Sequence, residues 1–140
     1  MSSKELVNVY IDICDQILAG NKLNQNNKFL FLSSLEQSID YLAVHISSEL
    51  NLNLPNFNDL NFNAKWQALS NEIVISNIIK REMALEGFFS DISLVKEKLL
   101  LPIDASVIAS NDSVNLKKLN LILDKYKTFI LLLRKTLEEC

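Results

Sequence analysis

The chain has 140 residues, of which 49% are hydrophobic and 22% charged, and its formal net charge is −3. These values suit one domain over residues 1–140 that buries a proper core, and they exclude a disordered chain and a generic nucleic-acid binder. Two glycines are too few for a turn-rich β-sandwich or a glycine-rich phosphate loop, and no apolar run approaches the ~18 residues of a membrane span, so the composition predicts an all-α domain.

Two helices are predicted in the first third of the chain. The first covers 3–19, because its apolar residues recur at helical spacing and Ser2 or Ser3 can cap its start. We expect Gly20 to end it in a left-handed conformation. The second covers 28–50, since its apolar residues alternate by three and four and share one face.

The asparagine-rich segment 51–63 is predicted to be an ordered loop. Its asparagines and its proline disfavour a long helix, and a short strand is the alternative, which asparagine also disfavours. A solvated linker would not carry large apolar groups, so we expect these to pack down across one end of the helices. They are Leu52, Leu54, Phe57, Leu60 and Phe62.

A third helix of about 35 residues is predicted from Ala64, with Asn63 as its cap. One long apolar stripe runs through it in register, which favours a single helix or two nearly collinear ones. A kink is expected near Gly87, and Pro102 ends the helix. The stripe consists of Trp66, Leu69, Ile73, Val74, Ile78, Leu85, Phe88, Ile92, Val95 and Leu99.

The remaining elements are a short helix over 105–109, capped by Asp104, and a last helix over 114–138. Two interleaved apolar series in the last helix follow heptad spacing. They are Leu116, Leu123, Ile130 and Leu137, and Leu119, Tyr126 and Leu133. The fold class is therefore predicted as all-α, an antiparallel bundle of four long helices, the third possessing the kink, plus one short helix.

The third and last helices carry more apolar residues than one buried stripe requires. Such a surplus is typical of central helices buried on several sides, or of helices that contact another chain. Because one domain of this size has little room for two central helices, the surplus favours an interface with a partner protein or a second copy. The candidate interface residues are Ile75, Ile79, Met83, Phe89, Leu121, Leu131 and Leu132.

The last helix also carries six cationic side chains. One interpretation is a basic ridge for RNA, DNA or an acidic partner. The other is a solvated outer face with cations near a helix C-terminus, where the helix dipole favours them. The side chains spread over much of the polar side of the helix, which favours the second. They are Lys117, Lys118, Lys125, Lys127, Arg134 and Lys135.

Catalytic chemistry has few candidate residues. The sole histidine, His45, lies beside the apolar stripe of the second helix, four residues before Glu49, which could accept its hydrogen bond. A nucleophilic pair with Cys14 would need the two to meet, and Cys14 falls on a core stripe, where thiols are inert. Structural zinc needs four Cys or His ligands, and acid pairs such as Glu36 and Asp40 are typical of a solvated helix face.

These patterns predict a non-enzymatic subunit for protein–protein interaction: an adaptor, assembly factor or chaperone-like component that docks through apolar helix ridges. The alternative is an accessory subunit of a nucleic-acid complex that uses the basic last helix. We expect no cofactor, no metal and no membrane contact. Two cysteines and the absence of a basic, apolar leader favour reduced thiols and an intracellular, cytoplasmic or nuclear location.

Overall fold

The computed structural model describes residues 1–20, 23–100 and 114–139, and within these ranges every regular element is helical. The all-α prediction is therefore confirmed for this part of the chain. The α-helices there are α1 (Ser3–Ala19), α2 (Gln25–Glu49), α3 (Phe62–Leu69), α4 (Ser76–Met83), α5 (Phe88–Leu100) and α6 (Leu116–Glu138). The predicted helix over 105–109 and the stop at Pro102 lie outside the described ranges.

The start of α1 and the starts of two later helices are set by side-chain caps. Ser2 accepts the Glu5 backbone N–H at 3.2 Å, so α1 covers the predicted residues. Asn24 caps α2 three residues earlier than expected. Asn61, rather than Asn63, caps α3. Side chains that accept such N–H groups satisfy donors that a helix leaves unpaired in its first turn.

Gly20 does not take the predicted left-handed conformation. Its φ of −69° and ψ of 156° are extended values that any residue can adopt. Its backbone N–H donates to the Ile17 carbonyl at 3.3 Å, which closes the last turn of α1 without a positive φ.

The single long third helix is wrong, because the chain leaves the helical path twice between Ala64 and Leu100. The first break follows α3, where successive turn hydrogen bonds join Asn71 to Ala68 and Ile75 to Glu72. These turns bring Ile75 into the core, where it is completely buried. Burial of a large aliphatic side chain offsets the loss of a few helical hydrogen bonds.

The second break lies where a kink was expected, between α4 and α5. Glu86 has a φ of 73°, a conformation that ends a helix. The Gly87 backbone approaches Glu82 so closely that a Cβ at Gly87 would overlap the Glu82 carbonyl. The chain therefore turns here instead of bending slightly, and α4 and α5 are separate helices.

Helices α1 and α2 form an antiparallel pair, and α6 packs across both. Ser38 Oγ in α2 donates to the Val7 carbonyl at 3.0 Å, and Cys14 Sγ donates to the Phe31 carbonyl at 3.6 Å. The Tyr126 hydroxyl of α6 lies 2.8 Å from the same Ser38 Oγ. Since these groups are buried, each hydrogen bond satisfies a polar atom that has left water.

An aromatic cluster fills the core between α3, α5 and α6. The Phe88 ring lies 4.3 Å from that of Phe89 and 4.9 Å from that of Phe129, and Trp66 contacts Phe129 at 5.4 Å, all between ring centroids. The Trp66 indole N–H donates to the Ile39 carbonyl at 3.1 Å. Aromatic rings in such tilted pairs stabilise a core beyond the area they bury.

Residues 51–61 form an ordered loop that contains one 3₁₀ turn, Phe57–Asp59, and no strand, and the last two residues of the predicted loop belong to α3. Phe57 is buried, and Leu52 and Phe62 pack partly against the core. Leu54 and Leu60 are exposed. Three of the five apolar side chains therefore pack as predicted, two of them from the loop and Phe62 from the start of α3.

Candidate interaction surface

Three of the candidate interface residues belong to the core. Ile75 and Ile79 are completely buried and Phe89 is nearly so, while Met83 packs partly against the same core. The apolar surplus on this segment thus has an internal explanation. Because the segment folds into three short helices joined by turns instead of one long helix, it buries more than one apolar face.

The remaining candidates lie on α6 and face away from the core. Leu131 is 65% exposed and Leu121 is 47% exposed. Leu132, one position further, is half-buried. The opposite side of α6 already buries a complete apolar stripe, so these three leucines exceed what the packing of α6 needs, and they share its outer side with the exposed Asp124, Thr128 and Lys135. The buried stripe consists of Leu119, Ile122, Leu123, Tyr126, Phe129, Ile130 and Leu133.

Leu132 borders a groove of about 240 Å³ between α4 and α6. The apolar part of the groove is formed by Leu132 and the edge of Phe129. Its rim is polar and carries both signs of charge. The rim residues are Arg81, Glu82, Asp124, Lys125 and Thr128. With two apolar and five polar lining residues, the groove offers a small apolar contact surrounded by polar groups.

Leu85 extends the exposed apolar area on this side of the molecule. It is 87% exposed in the turn between α4 and α5. The next residue, Glu86, accepts a hydrogen bond at its carbonyl from Lys125 Nζ at 2.8 Å, which places the turn against α6. The apolar stripe predicts that Leu85 is buried. This prediction is wrong, because the spacing of the stripe indicates burial only if the helix is continuous.

Ile73 fails the same expectation. Ile73 is part of the predicted apolar stripe, but it lies in the turn before α4 and is 92% exposed. Its neighbour Val74 is also exposed. Helical spacing predicts burial only for residues that are part of a helix. It therefore does not apply to the turn between α3 and α4 or to the turn between α4 and α5.

The six cationic residues of α6 do not form a continuous ridge. Lys118 and Lys125 both bind the nearly buried carboxylate of Asp91, at 3.2 Å and 2.8 Å. Lys127 binds Asp15 at 2.8 Å. These three cations therefore stabilise contacts within the chain. Of the others, Lys117 and Lys135 are exposed and Arg134 borders a separate cavity.

The predicted absence of a Cys–His pair agrees with the positions of the two residues. Cys14 contacts Phe31 in α2, whereas His45 lies 14 positions further along that helix, or roughly 21 Å at 1.5 Å per residue. Burial raises the pKa of the Cys14 thiol to about 12, which keeps it protonated at neutral pH. Burial lowers the pKa of His45 below its usual range.

Within the described ranges no group of three or more His, Cys, Asp or Glu side chains is arranged to hold a metal ion. None of the helices described is both long enough and apolar enough to cross a membrane. Comparison of the chain with protein-family models, with curated proteins and with solved structures found no match.

Proposed function

We propose that this protein is a non-enzymatic interaction subunit that docks the outer apolar face of α6 against a helix of a partner chain. The observation that carries the proposal is the exposure of Leu131 beside Leu132, on a helix whose opposite side is already fully packed. A regular helix stabilised by its own buried face is a rigid platform for a second contact. A partner that covers exposed leucines on such a platform removes apolar surface from water, which favours the contact.

The shape of the groove indicates what kind of partner fits. A volume of about 240 Å³ suits one or two large side chains rather than a whole helix. We therefore infer that an amphipathic partner helix inserts one apolar residue over Leu132 and rests its next turns on Leu131 and Leu121. The opposite charges of Arg81 and Asp124 at the rim would set the direction of that helix.

The role that follows is that of an adaptor, assembly factor or chaperone-like component, with either a different protein or a second copy as the partner. We further propose an intracellular location, since Cys14 is a free thiol and such thiols are typical of reducing compartments. The nucleic-acid alternative has less support, because three of the six cations on α6 are paired within the chain.

The proposal is tested by site-specific photo-cross-linking in the native cell. A photoreactive phenylalanine analogue replaces Leu131 in one variant and Leu30 in the other. Leu30 is the control, since it is 56% exposed on α2 and lies outside the groove. We expect one discrete adduct from position 131 and none from position 30. Equal labelling at both positions, or no adduct from 131, would contradict the proposed surface.

A further inference from the structure

A second cavity lies where the start of α1 meets the ends of α2 and α6. Its volume is about 320 Å³, within the range of sites that bind small molecules. Half of its lining residues are aliphatic, and it is open to solvent on one side. The aliphatic lining consists of Leu42, Ile46, Ile130, Leu133 and Leu137.

Arg134 supplies the cavity with a buried donor that lacks an acceptor. Its Nε atom is buried and makes no hydrogen bond to the part of the chain that the structure describes. Lys4 and His45 also line the cavity, from α1 and α2. Buried polar groups are nearly always hydrogen-bonded in folded proteins, so this guanidinium group has room for a further acceptor, either a water or a ligand atom.

Two carboxylates, Glu49 and Glu138, also line the cavity, and both residues are exposed. Neither makes an ion pair with Arg134 within the described residues, since no Arg134 bridge occurs there. Water screens their charges and that of Lys4, which is also exposed, so the half-buried Arg134 is the least screened charge in the lining. The cavity therefore brings the Arg134 side chain together with aliphatic surface.

We propose that this cavity binds an aliphatic monocarboxylate, with the carboxylate accepting hydrogen bonds from Arg134 and the hydrocarbon tail packed on the aliphatic lining. A carboxylate matches the planar donor geometry of a guanidinium group. A free inorganic anion would leave the aliphatic wall in water, and a neutral alcohol would leave the positive charge of Arg134 without a counter-ion. The site is independent of the α6 outer face and of the partner proposed for it.

His45 gives the proposed site a pH dependence. The groups that face it are Lys4 from α1, Glu49 from its own helix, and Arg134 and Glu138 from α6. Burial lowers the pKa of His45 from 6.5, Glu49 opposes this shift, and Lys4 and Arg134 reinforce it. Protonation adds a positive charge beside the carboxylate, so we expect affinity to rise as the pH falls below 6.5.

The test is calorimetric titration of the intact chain with sodium octanoate, 1-octanol and inorganic phosphate. We expect octanoate to bind and the other two to bind at least about tenfold more weakly. If octanol binds as tightly as octanoate, the cavity recognises only apolar surface. If phosphate binds as tightly as octanoate, the cavity recognises only negative charge. Either result, or no binding of octanoate, overturns the proposal.

Arg134→Gln identifies the residue that holds the carboxylate. We expect it to weaken octanoate binding by about tenfold, because it removes the charged donor and keeps most of the side chain's volume. Lys135→Gln is the matched control on the next position of α6, which is exposed, and it should leave affinity unchanged. Unfolding curves of both variants must match the wild type. If Arg134→Gln unfolds early, Lys4→Gln, from the opposite wall, is expected to weaken binding in its place, and unchanged affinity there counts against the proposal.

Discussion

Gly87 shows how one backbone position determines the path of a whole segment. No positive φ makes glycine necessary there, since the glycines of the described ranges have none. The constraint is space, because a Cβ would overlap the backbone of Glu82. The sequence predicts a kink near this glycine. The close approach to Glu82 depends on a turn that the spacing of apolar residues does not predict.

Gly87→Ala should therefore be strongly destabilising. Either the turn or the start of α5 must shift to admit the methyl group, and we expect a loss of about 2 kcal/mol or more in the free energy of unfolding. Gly20→Ala is the matched control, because a Cβ there lies 3.4 Å from the nearest atom, an ordinary contact. Urea unfolding of both variants checks this, and equal stability of the two would refute the steric account.

Cys14 makes stability depend on pH in the alkaline range. Burial raises the pKa of its thiol from 9.0 to about 12 in the folded state. Above pH 9.0 the unfolded chain releases this proton and the folded chain keeps it, so stability falls as the pH rises, by at most about 1.4 kcal/mol per pH unit. Burial also raises the pKa of Tyr126, which acts in the same direction above pH 10.0.

The prediction is checked by urea unfolding from pH 8 to pH 11, with Cys14→Ala as the comparison. Below about pH 9 the stability of the wild type should be flat with respect to this group. Between pH 9 and pH 10 the variant should lose less stability per pH unit than the wild type. Parallel stability curves for the two proteins would contradict the prediction, because they would mean that the ionisation of Cys14 does not differ between the folded and the unfolded chain.

Helices α5 and α6 are joined by one carboxylate that binds two lysines. Asp91 is nearly buried, whereas Asp15, which binds Lys127 between α1 and α6, is exposed. Removal of a buried partner leaves cationic groups with an unsatisfied contact, but exposed pairs contribute little. Asp91→Asn should cost about 1–3 kcal/mol and Asp15→Asn less than about 0.5 kcal/mol.

Thermal or urea unfolding of these two variants measures the difference directly. The same chemical change is made at both sites, so the contrast isolates burial. A small effect at both positions would mean that the aromatic cluster alone holds α5 to α6. A small loss of stability in Asp91→Asn would also mean that Lys118 and Lys125 are not needed for the fold. The nucleic-acid alternative would then gain support.

Helices α1, α2 and α6 were predicted well because each has one apolar stripe between clear end signals. The segment 64–100 was not, since its apolar spacing continues in register across both turns. Periodicity indicates which side of a helix is buried, but it does not show whether the helix axis is continuous. Asn71 weakly disfavours a helix and Glu86 carries no signal against one. The burial of Ile75 in the common core and the approach of Gly87 to Glu82 appear only once the turns have formed.

The candidate site was predicted in part for the same reason. Leu121, Leu131 and Leu132 stand out on α6 because that helix is continuous and its buried stripe is complete. Ile75, Ile79 and Phe89 seemed surplus only against a straight third helix, and they are core residues in the folded segment. Leu85 joined the surface through a turn that the spacing does not predict.

Within the described ranges the buried apolar residues form one core, and two surface features carry the proposals made above. The cavity at Arg134 suits a small carboxylate, and the outer face of α6 suits another helix. The second feature determines the proposed function. A change there should leave the fold intact, because Leu131 is 65% exposed and exposed positions seldom affect stability by more than about 0.5 kcal/mol.

The most direct measurement is the elution size of the tagged chain from an extract of its native cells, compared between the wild type, Leu131→Lys and the control Leu30→Lys. We expect the wild type and Leu30→Lys to elute as one larger species and Leu131→Lys to elute at the size of the free chain. A purified wild-type chain that shows the same larger species would identify a second copy as the partner. A wild type that elutes free, or Leu131→Lys in the larger species, would contradict the proposed role of the α6 outer face.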